Sequence, residues 1–398
     1  MHLTDHSKDL EWWLSYIESV HAKSWDLGLE RVSKVAQRLD VVRPAPVVVV
    51  VGGTNGKGSV CEYLSEFGVR NNLKVGKSTS PHMLDYNERI QINNELLPDE
   101  EIVDVFRLIE SSREEISLTY FEFSALAAML TFVREQVDVA ILEIGLGGRL
   151  DAMNIVERDL SIITSISLDH ESWLGSTREE IGKEKAGIMR PDVVCVLGDP
   201  DPPASLLNYA REQGVPLKKM GIDYGLFEGR VSLSRENFSI AKEAAGLLGW
   251  DLKSGPEIAE KKKLLGRKTW LKRRCPVILD VAHNPGAAQH LSRYLLDHKP
   301  EGKVHAIFGI YTDKNVEGVI DHLRGLVSCW HLVSNDEPRS HSSAELALFF
   351  SESERSNVMT YDKIGNVFDS VELRTVSDDL IVVFGSFFVV SAALKIWA

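Results

Sequence analysis

The fold is decided by the stretch VVVVVGGTNGKGSV, residues 47–60. Five consecutive valines are typical of a strand that is buried on both faces of a sheet. The glycines that follow indicate a sharp turn, because glycine takes positive φ without steric cost. A helix is predicted to follow, over Val60–Val69. Strand, glycine loop, lysine and helix start together predict a phosphate-binding loop, in which backbone N–H groups and the helix N-terminus face the anion and Lys57 neutralises it.

The loop departs from the usual P-loop pattern G-x-x-x-x-G-K-[ST]. That pattern needs glycine at position 51, which is Val51, and a hydroxyl residue at position 58, which is Gly58. The hydroxyl comes one residue later, at Ser59. A glycine-rich turn without a ligand is the alternative, but a lysine at this point after a buried strand favours phosphate binding.

The length and composition of the chain predict a two-domain globular protein, because 398 residues are more than a single hydrophobic core usually holds. A net charge of −13 argues against broad nucleic-acid binding. The four cysteines are widely spaced without a CxxC pair, which favours a reduced, cytoplasmic location. The polar N-terminus does not resemble a signal peptide, and no apolar run approaches about 18 residues, so we expect no membrane span.

Short apolar strands alternate with helices along the chain, which indicates an α/β fold with a largely parallel, doubly wound sheet. The strands predicted after the valine strand are Val137–Ile144, Leu160–Ile166 and Val193–Leu197. A second, smaller α/β alternation begins at Val277 and includes predicted strands at Val304–Gly309, Cys329–Val333 and Leu380–Phe384. The charged stretch between them, Leu252–Arg274, is predicted to connect two domains.

Several polar residues follow predicted strands, where ligands bind in open α/β sheets. Glu143 is a carboxylate in an apolar strand, which is costly unless it is paired or bound to a metal. His170 is either a metal ligand or a structural histidine, and Ser80 either a hydroxyl ligand or part of an ordinary turn. Lys185 lies at a charged helix end that by itself favours a solvated face. Asp280 and His283 could hydrogen-bond a ribose or base.

Together these segments resemble one protein family. Residues 53–59 resemble the ATP loop of the Mur-ligase superfamily. The stretches TYFE (119–122), LEIGLGGRLDA (142–152), LDH (168–170), WLG (173–175), IGKEKAGI (181–188) and LDVAHNP (279–285) resemble its folylpolyglutamate synthase branch. The stretch VHAKSWDLGLERV (20–32) is most similar to the bacterial bifunctional dihydrofolate synthase/folylpolyglutamate synthases.

The resemblance implies an ATP-dependent ligase that joins glutamate to dihydropteroate and to reduced folates through an acyl phosphate. It implies a P-loop-containing N-terminal domain over 1–265, a linker over 266–274 and a C-terminal Mur-ligase-type glutamate-ligase domain over 275–398. It also implies a monomer that binds ATP and Mg²⁺, with two magnesium sites and a carbamate formed from CO₂ on Lys185.

The residues implied for ATP are Thr54, Asn55, Gly56, Lys57, Gly58, Ser59, Asn237, Arg267, Asp280 and His283. The implied metal ligands are Ser80, Glu143, His170 and carbamylated Lys185, and the implied catalytic residues are Lys57, His170 and Lys185. A carbamate supplies anionic oxygen to a hard cation, whereas an ammonium repels it.

The implied pterin pocket comprises Trp25, Asp26, Leu27, Thr119, Tyr120, Phe121, Glu122, Leu150, Asp151 and Ala152. Phe121 offers an aromatic face to the flat ring, and Asp151 can accept its N–H groups. Ordinary core packing is the alternative for Phe121.

Three other functions stay open at this point. The first is a monofunctional folylpolyglutamate synthase. The second is a Mur-type ligase of a cell-wall precursor, which the short stretch before Val47 disfavours. The third is a nucleotide-binding regulatory protein without ligase activity, which the second α/β domain disfavours.

Overall fold

The computed structural model describes residues 8–23, 26–335, 337 and 339–397. Its helices are α1 Leu10–Ser19, α2 Glu30–Leu39, α3 Lys57–Arg70, α4 Asp99–Arg113, α5 Tyr120–Arg134, α6 Glu171–Leu174, α7 Arg178–Ala186, α8 Ala204–Glu212, α9 Arg235–Leu247, α10 Gly255–Lys261, α11 Pro285–Asp297, α12 Val316–Leu323, α13 Ser343–Ala347, α14 Gly365–Arg374 and α15 Phe387–Trp397. Short 3-10 helices cover Tyr86–Arg89, Ala152–Ile155 and Arg355–Asn357. Within these residues, none of the helices combines the length and the apolar character that crossing a membrane requires.

The strands are β1 Val47–Gly52, β2 Val75–Ser78, β3 Ile90–Ile92, β4 Glu95–Leu96, β5 Val139–Glu143, β6 Leu160–Ile163, β7 Cys195–Leu197, β8 Leu217–Lys219, β9 Thr269–Lys272, β10 Pro276–Leu279, β11 Val304–Phe308, β12 Cys329–Val333, β13 Val358–Tyr361 and β14 Leu380–Phe384. They form two sheets, each in its own compact unit. The first unit comprises the chain up to Ile166 and Arg178–Lys262, and the second comprises Ser167–Thr177 and the chain from Lys263.

The first sheet has eight strands in the order β4-β3-β2-β5-β1-β6-β7-β8. The valine strand β1 lies inside it and pairs in parallel with β5 and β6. Val48 to Val51 are fully buried, as a strand covered on both faces requires. The parallel core of the sheet brings the carboxyl ends of β1, β5 and β6 to one edge, where the phosphate loop begins.

The second sheet has six strands in the order β13-β12-β11-β14-β10-β9. Its five consecutive strands from β13 to β10 are parallel, and only the edge strand β9 is antiparallel. Its core is formed by apolar side chains of the central strands with those of α11 and α12. The predicted α/β class, with a largely parallel first sheet and a second, smaller α/β unit, is confirmed.

The stretch 252–274 is more structured than the predicted connection. It contains α10 and the strand β9, in which Trp270 pairs with Ile278 of β10. The side chains of β9 alternate between half-buried and exposed, as on an edge strand, so the segment lacked the apolar run that marks the central strands. A second difference is that residues 167–177, which follow β6 of the first sheet, group with the second unit.

Candidate active site

The phosphate loop connects β1 to α3 and requires two of its glycines. Gly53 and Gly56 have positive φ, of 137° and 90°. A Cβ atom on Gly53 would lie 1.9 Å from Oγ1 of Thr164. Both the backbone conformation and the lack of space therefore select glycine here.

The side chain of Lys57 lies over the loop. Its Nζ donates hydrogen bonds to the carbonyl oxygens of Gly53, at 3.2 Å, and of Thr54, at 3.1 Å. The loop is also fixed to the end of β6, where the N–H of Thr54 donates to the carbonyl of Ser165 at 2.7 Å and the N–H of Asn55 donates to its hydroxyl at 3.1 Å. The lysine ammonium and the first N–H groups of α3 thus share one loop, which is the arrangement that binds phosphate.

Three further residues predicted to bind ATP surround this loop. Gly58 and Ser59 lie in the first turn of α3, and Ser59 is buried. Asn237 lies in the first turn of α9, close enough that a Cβ atom on Gly56 would be 2.3 Å from its Oδ1. The structure therefore brings Asn237 to the phosphate loop from a distant part of the sequence.

Lys185 lies in the last turn of α7 and is only 4% exposed. Its Nζ donates to the carbonyl oxygen of Gly53 at 2.9 Å, the oxygen that also accepts from Lys57. The solvated-face interpretation is therefore wrong for Lys185. Two ammonium groups instead converge on one carbonyl of the phosphate loop.

Two oxygen-bearing residues predicted to bind metal also meet in this unit. Glu143 ends β5 and is 5% exposed, and its Oε2 accepts from the N–H of Ser80 at 3.1 Å. Burial, with the nearby Glu143 carboxylate, raises the pKa of the Cys61 thiol well above its usual value. Carboxylate and hydroxyl oxygens fit a hard divalent cation, whereas the unmodified Lys185 ammonium does not.

The remaining predicted ligand, His170, belongs to the second unit. Its Nε2 lies 3.2 Å from the Nζ of Lys314, and its Nδ1 lies 3.6 Å from Oδ2 of Asp313. Burial lowers the pKa of His170 to about 4, so the imidazole is neutral at neutral pH, as a metal ligand must be. In this structure, however, Lys314 occupies the neighbourhood of Nε2. Among the described residues no cluster of three histidine, cysteine or carboxylate side chains is arranged to hold a metal ion.

Asp169 anchors this part of the second unit. It is buried and accepts hydrogen bonds from Nζ of Lys314 at 2.6 Å and Nδ2 of Asn284 at 3.0 Å, with Nε2 of His283 at 3.4 Å. Burial raises the pKa of Asp169, but the hydrogen bond and charge of His283, with the charge of Lys314, hold it well below its usual value. The carboxylate therefore stays ionised and orders the residues beside His170.

Three predicted nucleotide residues also meet in the second unit. Asp280 accepts from the N–H groups of Lys268 and Ala282, each at 3.0 Å. Burial raises the pKa of Asp280, and the nearby charge of Arg267 opposes that effect. The rings of His283 and Phe387 lie 6.4 Å apart, and the Arg267 guanidinium lies 5.3 Å from the centre of the Phe387 ring.

The predicted pterin residues Tyr120, Phe121 and Glu122 form the first turn of α5. A Cβ atom on Gly145 would lie 2.4 Å from the ring of Phe121, so the ring packs directly on the glycine loop after β5. The guanidinium of Arg89 lies 5.3 Å from the centre of the Tyr120 ring. Phe121 and Tyr120 are both half-buried, which leaves part of each aromatic surface accessible.

Asp151 shapes the loop that follows. Its Oδ2 accepts from the N–H of Leu146 at 2.8 Å, and its Oδ1 accepts from the N–H of Met153 at 2.9 Å, where it caps the 3-10 helix Ala152–Ile155. Burial raises its pKa to about 6, although the hydrogen bonds from the backbone N–H groups of Leu146 and Met153 oppose the shift. These two hydrogen bonds fix the loop that contains Leu150 and Ala152.

The other predicted pterin residues take part in an ionic and capping network. Arg31 donates to Asp26 at 2.7 Å and to Glu122 at 3.1 Å, so it joins two predicted segments. Thr119 and Glu122 also form a reciprocal capping box at the start of α5. Leu27 follows Asp26 in the same half-buried loop, and Trp25 lies outside the described residues.

Comparisons with known proteins agree with this geometry. Residues 266–387 match the model of the family described as Mur ligase, glutamate ligase domain. The chain is 37% identical over 403 residues to the dihydrofolate synthase/folylpolyglutamate synthase of Escherichia coli (strain K12). This alignment covers 96% of this chain and 94% of the relative. The chain belongs to the dihydrofolate synthase/folylpolyglutamate synthase family.

Solved structures of this family match the fold closely. The structure of E. coli FolC in complex with DHPP and ADP has a TM-score of 0.94, with 35% identity and 98% coverage of both chains. A bifunctional folylpolyglutamate synthase/dihydrofolate synthase with Mn, AMPPNP and L-glutamate bound has a TM-score of 0.91, with 35% identity and 98% coverage of both. The match of this dihydrofolate synthase/folylpolyglutamate synthase family member to its relatives thus spans both units.

Sequence reasoning missed several residues that this family member places at the site. Arg31 and Lys314 bind predicted residues through long-range contacts, and Arg158 holds the loop after Asp151. Arg158 lies in none of the stretches that carry the resemblance, whereas Arg31 lies in one of them, residues 20–32, but its partners are visible only in the fold. The capping box of Thr119 and Glu122, in contrast, follows the pattern [ST]-x-x-[EQ] and was readable from the sequence.

Proposed function

We propose that this protein uses ATP to ligate L-glutamate to dihydropteroate, and to the glutamate chains of reduced folates. The observation that carries this proposal is the convergence of Lys57 and Lys185 on the Gly53 carbonyl, at a phosphate loop beside buried Glu143. Lys57 and the first N–H groups of α3 supply the positive charge that is needed when an anionic acid approaches an anionic phosphate, and Lys185 lies at the same point of the loop.

The reaction proceeds in two displacements. A carboxylate oxygen of the acid attacks the γ-phosphorus of ATP, the bond to the bridging oxygen breaks, and ADP leaves. The amine of glutamate then attacks the acyl carbon, phosphate leaves, and the amine loses a proton as the amide forms. Lys57 and the N–H groups at the start of α3 stabilise the phosphate charge, which is the main electrostatic demand of phosphoryl transfer.

A divalent cation, when bound, neutralises charge on the phosphate oxygens. Ser80 and Glu143 would hold it in the first unit, and we propose His170 and carbamylated Lys185 as further ligands, with two magnesium sites in all. The support for the carbamate is electrostatic. An anionic group on Lys185 replaces the repulsion between two ammonium groups at Gly53 with attraction toward Lys57 and the metal.

We propose that the acid is held by Leu150, Asp151 and Ala152 together with Trp25, Asp26, Leu27 and Thr119–Glu122. The ring of Phe121 on Gly145 supports this, because an aromatic face beside a buried carboxylate suits a flat heterocycle with N–H donors. Arg267, Asp280 and His283 of the second unit are proposed to bind the nucleotide.

We further propose a division into 1–265 for ATP and pterin, 266–274 as linker and 275–398 for glutamate ligation. A cytoplasmic monomer without nucleic-acid or membrane partners is the expected form. The net charge of −13 supports the absence of nucleic-acid partners, and the four free cysteines support a reduced compartment.

A product assay tests the activity. The purified protein is given ATP, Mg²⁺ and L-glutamate with either dihydropteroate or a reduced folate monoglutamate, and products are separated by chromatography. We expect one added glutamate per ADP with each acid. If only the folate is extended, the protein is monofunctional, and ADP release that ignores glutamate would refute ligation.

A further inference from the structure

Arg158 is a buried cation whose hydrogen bonds all go to neutral oxygens. It is 5% exposed, and no carboxylate lies within ion-pair distance of it among the described residues. Its Nη1 donates to Oδ1 of Asn154 and the carbonyl of Ile188, each at 2.8 Å. Its Nη2 donates to the carbonyls of Asn154, at 2.8 Å, and Val156, at 2.7 Å.

These acceptors come from two separate segments of the first unit. Asn154 and Val156 end the 3-10 helix that Asp151 caps, and Ile188 follows the end of α7, three residues after Lys185. The last carbonyls of a helix have no partner within the helix and carry partial negative charge. Of the three carbonyls that Arg158 contacts, only that of Asn154 belongs to a helix, and those of Val156 and Ile188 lie just beyond a helix end, so the guanidinium is held mainly by its direct hydrogen bonds. Burial, with the nearby Arg190, lowers the pKa of Arg158 to about 9, so it remains charged at neutral pH.

Further hydrogen bonds tie the same two segments together. Nδ2 of Asn154 donates to the carbonyls of Arg149, at 3.0 Å, and Gly187, at 3.1 Å. Arg190 donates through Nη1 to the carbonyl of Gly187, at 3.1 Å, and through Nη2 to that of Asn154, at 2.9 Å. Asn154 is thus the centre of a cluster that contains both guanidinium groups.

The two segments touch so closely that neither can move alone. A Cβ atom on Gly148 would lie 3.0 Å from the carbonyl oxygen of Glu184, and one on Gly187 would lie 2.5 Å from Cβ of Arg149. The N–H of Arg149 also donates to the carbonyl of Glu184 at 2.9 Å. A change in the spacing at Asn154 therefore moves the glycine loop and the end of α7 together.

We propose that Arg158 is a positioning residue that sets the spacing between the acid-binding loop at Asp151 and the end of α7 that carries Lys185. This inference rests on the proposed function, because it assigns Asp151 to the acid and Lys185 to the chemical step. Lys57 is fixed by carbonyls of its own loop and by none of the residues in this cluster. Loss of Arg158 should therefore affect the acid and the turnover more than the nucleotide.

The test compares Arg158→Lys and Arg158→Met with Arg38→Met. Arg38 is the matched control, because it also donates to carbonyls at a helix end, those of Ser112 and Arg113 at the end of α4, but lies outside this cluster. Steady-state kinetics with dihydropteroate, ATP and glutamate are combined with calorimetric titration of AMPPNP. A lysine carries its three N–H donors on a single nitrogen and lacks the two guanidinium nitrogens that reach acceptors of both segments, so both Arg158 variants should lose function.

We expect kcat/KM for dihydropteroate to fall on the order of tenfold to a hundredfold in both variants. A loss of this size is typical when reacting groups are misplaced by about 1 Å. AMPPNP affinity should stay within about twofold, and Arg38→Met should resemble wild type. A parallel loss of AMPPNP and dihydropteroate affinity would overturn the inference, as would wild-type kinetics in Arg158→Met.

If neither Arg158 variant folds, the same kinetics and AMPPNP titration are carried out on Arg190→Lys. It should show a smaller loss for dihydropteroate with unchanged AMPPNP affinity, and equal effects on both would overturn the inference. The proposed function fails separately, if the wild-type protein makes no glutamate-dependent product from either acid.

Discussion

Lys77 and Glu62 form a buried ion pair between β2 and α3, the helix that begins at the phosphate loop. Lys77 is 1% exposed, and its Nζ donates to Oε1 of Glu62 and, at 3.3 Å, to Oδ1 of Asn94. Glu62 has a second cation, since Nζ of Lys262 lies 3.0 Å from its Oε2 and 3.3 Å from Oε2 of Glu66. Burial alone would raise the pKa of Glu62, but Lys77 and Lys262 hold it below its usual value.

This asymmetry predicts unequal costs for the two halves of the pair. Breaking a buried pair costs about 3–5 kcal/mol, because the remaining charge is left without compensation. Glu62→Leu should cost about 5 kcal/mol, the upper end of this range, because among the described residues Lys77 then keeps only Asn94 as a hydrogen-bond partner and faces the charge of Lys262. Lys77→Met should lie near the lower end, since Glu62 keeps Lys262. The double variant removes both buried charges and should cost less than either single change.

Urea denaturation of the full chain, followed by circular dichroism, measures these free energies of unfolding. Lys34→Met is the control, because Lys34 and Glu30 form an exposed pair within α2, and no measurable change is expected. Additive costs, with a double variant near the sum of about 8 kcal/mol, would refute the reasoning. Equal costs for the two single variants would refute the role assigned to Lys262.

Three further predictions concern the proposed site. Lys185→Ala should lose most turnover, and short carboxylates added to the assay should restore part of it, because they stand in for a carbamate. A Lys185→Ala protein that keeps the wild-type rate at low CO₂ would contradict this idea. KM for dihydropteroate should rise as the pH falls through about 6, where buried Asp151 takes up a proton and loses acceptor capacity. Asp151→Ala should abolish this pH dependence and affect dihydropteroate more than ATP, whereas equal effects on both would exclude the role. Gly145→Ala should displace the Phe121 ring and raise KM for dihydropteroate, while Gly365→Ala, where a Cβ atom meets nothing within 4 Å, should leave it unchanged.

Much of the fold was predictable because its signals are local. The valine run and the glycines that follow identify β1 and the phosphate loop, and the apolar strands β5, β6 and β11 are short runs bounded by turns or helices. The edge strand β9 was missed, because half its side chains face solvent and its pairing with β10 is visible only in the folded sheet. Sequence periodicity reports burial, so it identifies interior strands better than edges.

The site was less predictable, since its decisive properties come from distant partners. Lys185 looks like part of a charged surface in sequence, and only the fold shows that it is buried against Gly53. Arg158 lies among ordinary polar residues, and the acceptor that ties it to a second segment, the carbonyl of Ile188, is 30 residues away in the sequence. Neither pattern nor composition encodes such contacts, which explains why the resemblance located motif residues and left their supports unassigned.

The phosphate loop also accounts for the placement of these supports. The carbonyl of Gly53 accepts from both Lys57 and Lys185, so the nucleotide lysine and the end of α7 meet at one atom. The end of α7 is in turn packed on the glycine loop and joined to Asn154 by Arg158 and Arg190. Because like charges repel more strongly where water is excluded, two ammonium groups at this point are costly unless an anion lies between them. The fold therefore creates a strong local demand for negative charge at the loop, which a bound phosphate would satisfy, whereas the carbamate that we propose on Lys185 would remove one of the two positive charges.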